Sequence, residues 1–376
     1  MSALAEAGIA PATEAELAAT IAEAARDRRP LAPRGGGTRS DPAAAPRGEP
    51  LSTARLTGIV DYEPGALTLI ARAGTPLAAI EAALAAEGQA LAFEPPDLRG
   101  LLGTAGAPTI GGVVATNASG PRRLLAGACR DHLLGLRFVD GRGRILRTGG
   151  RVMKNVTGLD LGKLLCGARG TLGVLTEVAL KTLPAPRASL TLAFPGTDLS
   201  GAIDLFTAAL STPWEVSGAA WRAGTAWLRL EAPEAQLAYR RDRLTGLLGT
   251  REVEDLDAAA TTALWRDLRD LTDFAPPGVP VWRVLTRPSR AAALAGALAE
   301  TGGAVALDWG GHLLWYAGPA EGAAIRALPG GRLATRIRRG DGPADAAFPP
   351  EADPLAARLH AVFDPAGILN PGPVGG

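Results

Sequence analysis

The stretch TIGGVVATNASGPRR, Thr109 to Arg123, constrains this chain more than any other. Thr, Asn and Ser side chains are set between Gly111, Gly112 and Gly120. Glycine has no Cβ, so the backbone can approach a flat or phosphorylated ligand closely enough for its own N–H groups to donate hydrogen bonds. An ordinary turn has the same composition, so the stretch is weighed with its surroundings. A second glycine run, RGGGTRSD from Arg34 to Asp41, follows a helix and a short strand. Neither run contains GxGxxG or GxxxxGK[ST], which sets aside the Rossmann and P-loop folds.

The length of 376 residues suggests two domains. A hydrophobic share of 47% with 20% charged residues describes a globular chain with ample apolar side chain to bury. A net charge of +1 gives no field for nucleic acid or an acidic membrane surface. Cys129 and Cys166 can pair only with each other and lack metal-ligand spacing, so they read as buried free thiols in a reducing compartment. The acidic N-terminus does not read as a secretory signal, and no apolar run reaches membrane-spanning length. A cytoplasmic protein without direct membrane insertion is expected, with peripheral association through a partner left open.

Thr13 and Glu16 form a capping box before a helix carrying Leu17 and Ile21, which Pro30 ends. Leu56–Tyr62 and Leu67–Ala73 read as a hairpin, Leu77 to Leu84 as a second helix, and the segment from His132 as two strands joined at a DG turn. Beyond ASLTLAF the pattern alternates strand and helix, and all seven Trp lie there. The predicted organisation is α+β: a first domain over 1–184, a smaller mixed α/β cap over 185–345, and a C-terminal helix and tail over 346–376 that pack back on the first domain.

Four segments, PRGGGT, TIGGVVATNASG, the run from Leu134 to Val178 and FDPAGILNPG, together resemble the FAD-binding domain of the vanillyl-alcohol-oxidase/PCMH flavoprotein superfamily. Within it the chain is most similar to the FAD-binding E subunits of bacterial glycolate oxidases; the WGG and VWR patches and the short second domain fit these better than the D subunits.

The resemblance implies FAD as cofactor. Backbone amides of Arg34, Gly35, Gly36, Gly37 and Thr38 would cradle the pyrophosphate. Thr109, Gly111, Gly112, Thr116, Asn117, Ser119 and Gly120 would line the ribityl and ring side, and Gly170, Gly173, Val174 and Leu175 would clasp the adenosine end. Asn370 would belong to the returning tail, or simply cap a turn. Lys154, Asn155 and Asp160 match a KNVTGYD pattern in which Leu159 replaces the aromatic residue. No histidine adjoins RGGG, so the flavin is expected to be non-covalent, and burial is the preferred reading of Cys129. The HxGDGNxH-like run of the D subunits is absent, so no metal is expected.

The implied activity is FAD-dependent oxidation of a small 2-hydroxy acid, glycolate or D-lactate, beside a D-type flavoprotein subunit and an iron–sulfur subunit. Such chemistry needs a carboxylate holder and a base. Arg283 in VWRVLT is the candidate holder, with an arginine facing water as the alternative. His312 is the candidate base, with a structural histidine as the alternative. Two further readings stay open: an electron-transfer or assembly subunit that carries flavin without substrate chemistry, and a flavin-free scaffold.

Overall fold

A computed structural model describes residues 8–43, 47–150, 160–249, 252–272, 274–342, 346–349 and 354–372. The chain divides into two compact units: Met1–Ser119, Ala128–Ala185 and Pro350–Gly376 form the first, Gly120–Gly127 and Pro186–Pro349 the second. The boundaries read from sequence fall at 184/185 and 345/346. The grouping of Gly120–Gly127 with the second unit has no counterpart in that reading.

In the first unit the helix Glu14–Arg26 starts at Thr13, whose hydroxyl accepts from the Glu16 amide at 3.1 Å. Leu17, Ile21 and Ala24 fall on one face and are fully buried against Leu31, Leu51, Val139, Val174, Ile368 and Leu369. Strand β1 (Leu31–Arg34) pairs in parallel with β2 (Glu49–Ser52), and Leu31 also bridges in parallel to Leu369 of the tail. Strands β3 (Ile59–Glu63) and β4 (Thr68–Arg72) make the expected hairpin. Short β5 (Gln89–Ala90) precedes β6 (Leu133–Val139) and β7 (Ile145–Gly149), which join at Asp140-Gly141. Strand β8 (Val174–Lys181) then completes an antiparallel sheet of order β3-β4-β8-β6-β7, and β9 (Leu183–Pro184) pairs with β5. The helix Leu77–Ala86 buries Leu77, Ile80 and Leu84 in one cluster with Leu69, Val113, Phe138 and Val178.

Glu14 ties the first helix to this sheet. Its carboxylate accepts from the Arg137 guanidinium on β6 and from Thr176 Oγ1 on β8 at 2.6 Å. Burial pushes the Glu14 pKa up, but hydrogen bonds from Arg137 and Thr176 outweigh it and hold the carboxyl below its usual value. A depressed folded-state pKa gives stability that is present above the unfolded value and lost as pH falls through the folded one. Glu14→Gln is therefore expected to lower the melting temperature at neutral pH and to converge with the parent in acid, as thermal melts between pH 7 and pH 3 will show.

The second unit contains β10 (Ala188–Phe194), β11 (Val216–Arg222), β12 (Thr225–Ala232), β13 (Glu254–Leu256), β14 (Val281–Leu285), β15 (Ala304–Asp308), β16 (Leu313–Ala317) and β17 (Leu333–Arg338). They form one sheet, ordered β13-β10-β12-β11-β15-β16-β14-β17, and its pairings are antiparallel. Helices Leu199–Leu210 and Pro288–Ala299 cover one face over Phe194, Trp282, Val284 and Tyr316. Helix Ala258–Asp270 covers the other. Ala219 packs with the first group and Ala220 with Trp265, as alternation along β11 requires. The four-residue helix Arg123–Ala126 also belongs to this unit, and its Leu124 packs against the larger core.

Candidate functional site

Backbone packing forces the first glycine loop into its shape. A Cβ on Gly36 would lie 1.7 Å from the Ala107 carbonyl oxygen, and one on Gly106 would lie 1.8 Å from the Gly36 oxygen. Two loops remote in sequence therefore stack main chain on main chain. Gly35 is equally tight, 2.2 Å from Thr109 Oγ1. Gly37 differs, because it has a φ of +68° and nothing within 4 Å of its added Cβ. Among the described residues, the N–H groups of Gly35, Gly36, Gly37 and Thr38 donate to no protein acceptor. A row of amides left open beside a glycine facing open space suits a bound pyrophosphate, whose oxygens would accept from it. The flanking Arg39 guanidinium donates to the Pro96 carbonyl at 2.7 Å.

The opening stretch is a short helix in its first half, Ile110–Ala115, with Thr109 as its cap. Thr109 Oγ1 accepts from the Gly112 amide at 3.3 Å. Ile110 N–H donates to Thr75 O and Gly111 N–H to Ala73 O, so the β4 exit holds this helix in place. A Cβ on Gly111 would strike Ala73, whereas one on Gly112 meets only Thr109 Oγ1 at 3.4 Å and Arg39 Cδ at 3.9 Å. Of these two glycines, Gly112 is the one with room beside it.

The polar side chains of this stretch are engaged with the protein itself. Thr116 Oγ1 donates to Gly112 O at 2.7 Å. Asn117, at φ +48°, accepts from the Arg130 amide at 3.0 Å and from Cys166 Sγ at 3.6 Å. Ser119 Oγ accepts from the Cys129 amide at 3.0 Å. Cys129 and Cys166 are buried neighbours behind this turn, and the Cys129 thiol is pushed well up by its hydrogen bond with Cys166 and by burial. Gly120 falls in the second unit, where its carbonyl accepts from Trp309 Nε1 at 3.0 Å.

The tail and the Ala168–Gly173 turn meet at β1. Leu31 N–H donates to Ile368 O and Asn370 N–H to Leu31 O, both at 2.7 Å, while Asn370 Nδ2 donates to Arg169 O at 2.7 Å. Asn370 thus joins three segments. Gly170, at φ +78°, lies beside Pro33, with 3.5 Å between its added Cβ and the proline. A Cβ on Gly173 would lie 2.6 Å from the Phe138 ring, and Val174 and Leu175 are core residues, 2% and 7% exposed. Burial lowers the pKa of Arg169, next to Gly170, to about 10. Asp160 caps the helix Leu161–Leu165, while Lys154, Asn155 and Leu159 lie outside the described residues.

Both candidate reaction residues touch Trp309 in the second unit. The Arg283 guanidinium carbon lies 5.3 Å from the indole centroid, and His312 Nδ1 is 3.1 Å from the Trp309 carbonyl oxygen. His312 is exposed. Sequence reasoning gave no role to Ala73–Thr75 and Gly106–Ala107, whose signal was a small-residue bias, nor to Arg39 and Arg169, which lie inside the RGGGTRSD stretch and the Leu134–Val178 run.

An FAD binding domain family matches residues 5–149. Glycolate oxidase subunit GlcE of Escherichia coli is 37% identical over 359 residues, spanning 94% of both chains. Glycolate oxidase subunit GlcD of Bacillus subtilis is 34% identical over 50% of this chain and 39% of its own length. D-lactate dehydrogenase of Archaeoglobus fulgidus is 33% identical over 52% of this chain and 43% of its own. A solved alkyldihydroxyacetonephosphate synthase superposes with a TM-score of 0.70 at 16% identity, covering 96% of this chain and 75% of that one, and shows the shared PCMH-type fold. With the open amide row of Gly35–Thr38 on an α+β frame of this kind, the chain belongs to the glycolate oxidase E-subunit family of FAD-binding oxidoreductases.

Proposed function

We propose that the chain is the FAD-carrying subunit of a glycolate oxidase-type complex that oxidises glycolate or D-lactate to the 2-oxo acid. The row of open amides from Gly35 to Thr38 carries this reading, in a chain whose relatives are named for glycolate and D-lactate oxidation. Bound FAD supplies the two-electron acceptor that alcohol oxidation requires. The Gly35–Thr38 amides would donate to its pyrophosphate, and the open side of Gly112 would leave room for it. Arg283 would grip the substrate carboxylate with paired N–H groups. His312 Nδ1 lies 3.1 Å from Trp309 O, and with Nδ1–H donated there Nε2 would be the nitrogen left to take the hydroxyl proton.

The second reading, a flavin-bearing subunit whose D-type partner does the chemistry, is favoured by the missing HxGDGNxH run and by the exposure of His312. A D-type flavoprotein subunit and an iron–sulfur subunit are the partners expected to co-purify from the native host. Among the described residues no helix is long and apolar enough to cross a membrane, so any membrane association is proposed to run through those partners.

The purified chain is expected to hold about one non-covalent FAD and to bleach when mixed with glycolate or D-lactate without oxygen. A colourless chain that takes up no FAD on refolding overturns both flavin readings. A yellow chain that bleaches only in the complex assigns the chemistry to the partner.

A further inference from the structure

Asn117 is the point where three segments of the first unit are tied together. It lies just past the helix Ile110–Ala115 at a φ of +48°, a conformation that asparagine adopts more readily than most residues with a side chain. Its Oδ1 accepts twice, from the Arg130 amide at 3.0 Å and from Cys166 Sγ at 3.6 Å. Arg130 closes the ring of contacts, because its guanidinium donates to the Cys166 carbonyl at 3.0 Å. The residues after Cys166 are fixed to the same helix: Gly167 N–H donates to Val114 O and Arg169 N–H to Ala115 O. A Cβ on Gly167 would lie 3.4 Å from that of Asn117, so this turn passes directly beside the amide.

These contacts decide which way the amide faces. Arg130 N–H and Cys166 S–H are donors, so the atom turned to them has to be the oxygen, and Nδ2 is left on the other side of the group. Asn117 is half-buried, and among the described residues its Nδ2 donates to no acceptor and is not sealed from solvent. Behind the amide stand two buried thiols to which the flavin site gives no other part. Cys166 has a single proton to give Asn117, so the hydrogen bond between the two thiols has to be donated by Cys129. Donors therefore run in one direction, from Cys129 to Cys166 to Asn117. Both thiols are fully buried in one cluster with Val113, Val114 and Phe138, so the Cys166 S–H cannot swing out to water.

We propose that Cys166 is a positioning residue for the flavin: with the Arg130 amide it holds Asn117 Oδ1, so that Asn117 presents Nδ2 as a hydrogen-bond donor to a flavin acceptor. The proposal rests on the reading that Thr109 to Gly120 lies along bound FAD. It gives a part to a cysteine that is remote from that stretch in sequence.

The test is titration of the flavin-free full chain with FAD, followed by quenching of flavin fluorescence, with a thermal melt of each flavin-free variant beside it. Asn117→Asp keeps the acceptor and loses the donor, and is expected to weaken FAD by about tenfold. Cys166→Ala should weaken it by about two- to fivefold, the share of one weak S–H bond. Asn117→Gly tolerates the positive φ and removes the amide. In that background Cys166→Ala should have no further effect on FAD affinity, although the flavin-free melt drops as it does in the single variant. A role in packing alone would give equal losses of FAD affinity in both backgrounds, and such additive losses overturn the proposal. If Cys166→Ala does not fold, Asn117→Asp decides, since parent-like FAD affinity in it overturns the proposal and leaves the flavin reading intact. A parent chain that takes up no FAD overturns both.

Discussion

Replacing Gly36 by valine is expected to abolish FAD binding and to destabilise the flavin-free chain by about 3 kcal/mol or more. The first added atom would sit 1.7 Å from the carbonyl oxygen of Ala107, and main chain cannot rotate aside as a flexible side chain can. To make room the loop Gly35–Thr38 must separate from Gly106–Ala107, which would also misdirect the four open amides. Even Gly36→Ala should show the loss, because the clash begins at Cβ. Gly112→Val is the contrasting case. Its Cβ has 3.4 Å to Thr109 Oγ1, so the flavin-free chain should melt close to the parent while FAD affinity falls by about tenfold or more. Thermal melts of the flavin-free chain and flavin-to-protein ratios separate the two effects. Equal flavin retention in both variants would place the cofactor elsewhere.

That contrast marks where sequence reading stops. Glycine content at Gly36 and Gly112 is the same in the one-letter string, yet one is required by neighbouring backbone and the other stands beside open space. The partner loop of Gly36 is distant in sequence, so no local pattern reveals it. The same holds for Ala73 and Thr75, whose carbonyls anchor the Ile110–Ala115 helix. Elements set by local rules were legible: the Thr13 cap, the β3–β4 hairpin, and the second-unit helices with their 3.6-residue spacing. Polar side chains were less so. Thr116, Asn117 and Ser119 have the chemistry to meet a flavin ring, but their hydrogen bonds go to Gly112, Arg130, Cys166 and Cys129. The segment Gly120–Gly127 is too short for any periodicity, and it is its partners Trp309 and Glu231 and the packing of Leu124 that reveal that it belongs with the second unit.

Glu231→Gln is expected to destabilise the second unit by about 3–5 kcal/mol. Glu231 lies on β12 with a side chain 9% exposed, between two buried arginines: Arg122 at 2.9 Å and Arg229 at 3.8 Å. Arg229 has other support, from Ser217 Oγ at 3.2 Å and from stacking on Trp265 at 4.7 Å. Arg122, 13% exposed on its side chain, makes the shorter of the two ion pairs. Removing that charge takes the shorter of Glu231's two ion pairs from a guanidinium that is mostly shielded from water, and the cheapest response is for the Gly120–Gly127 segment to lift off β12 so that Arg122 can reach water. Such a shift would also withdraw Gly120 O from Trp309 Nε1 and Arg123 from the indole. The loss should therefore appear both as a lower melting temperature and as faster amide exchange in the helix Arg123–Ala126. Pairing Glu231→Leu with Arg122→Met removes both charges and should recover most of the stability, because the cost of Glu231→Gln comes from charge left shielded from water with less compensation more than from the lost bond. A double variant as unstable as Glu231→Gln would show instead that Arg229 is the residue the carboxylate serves.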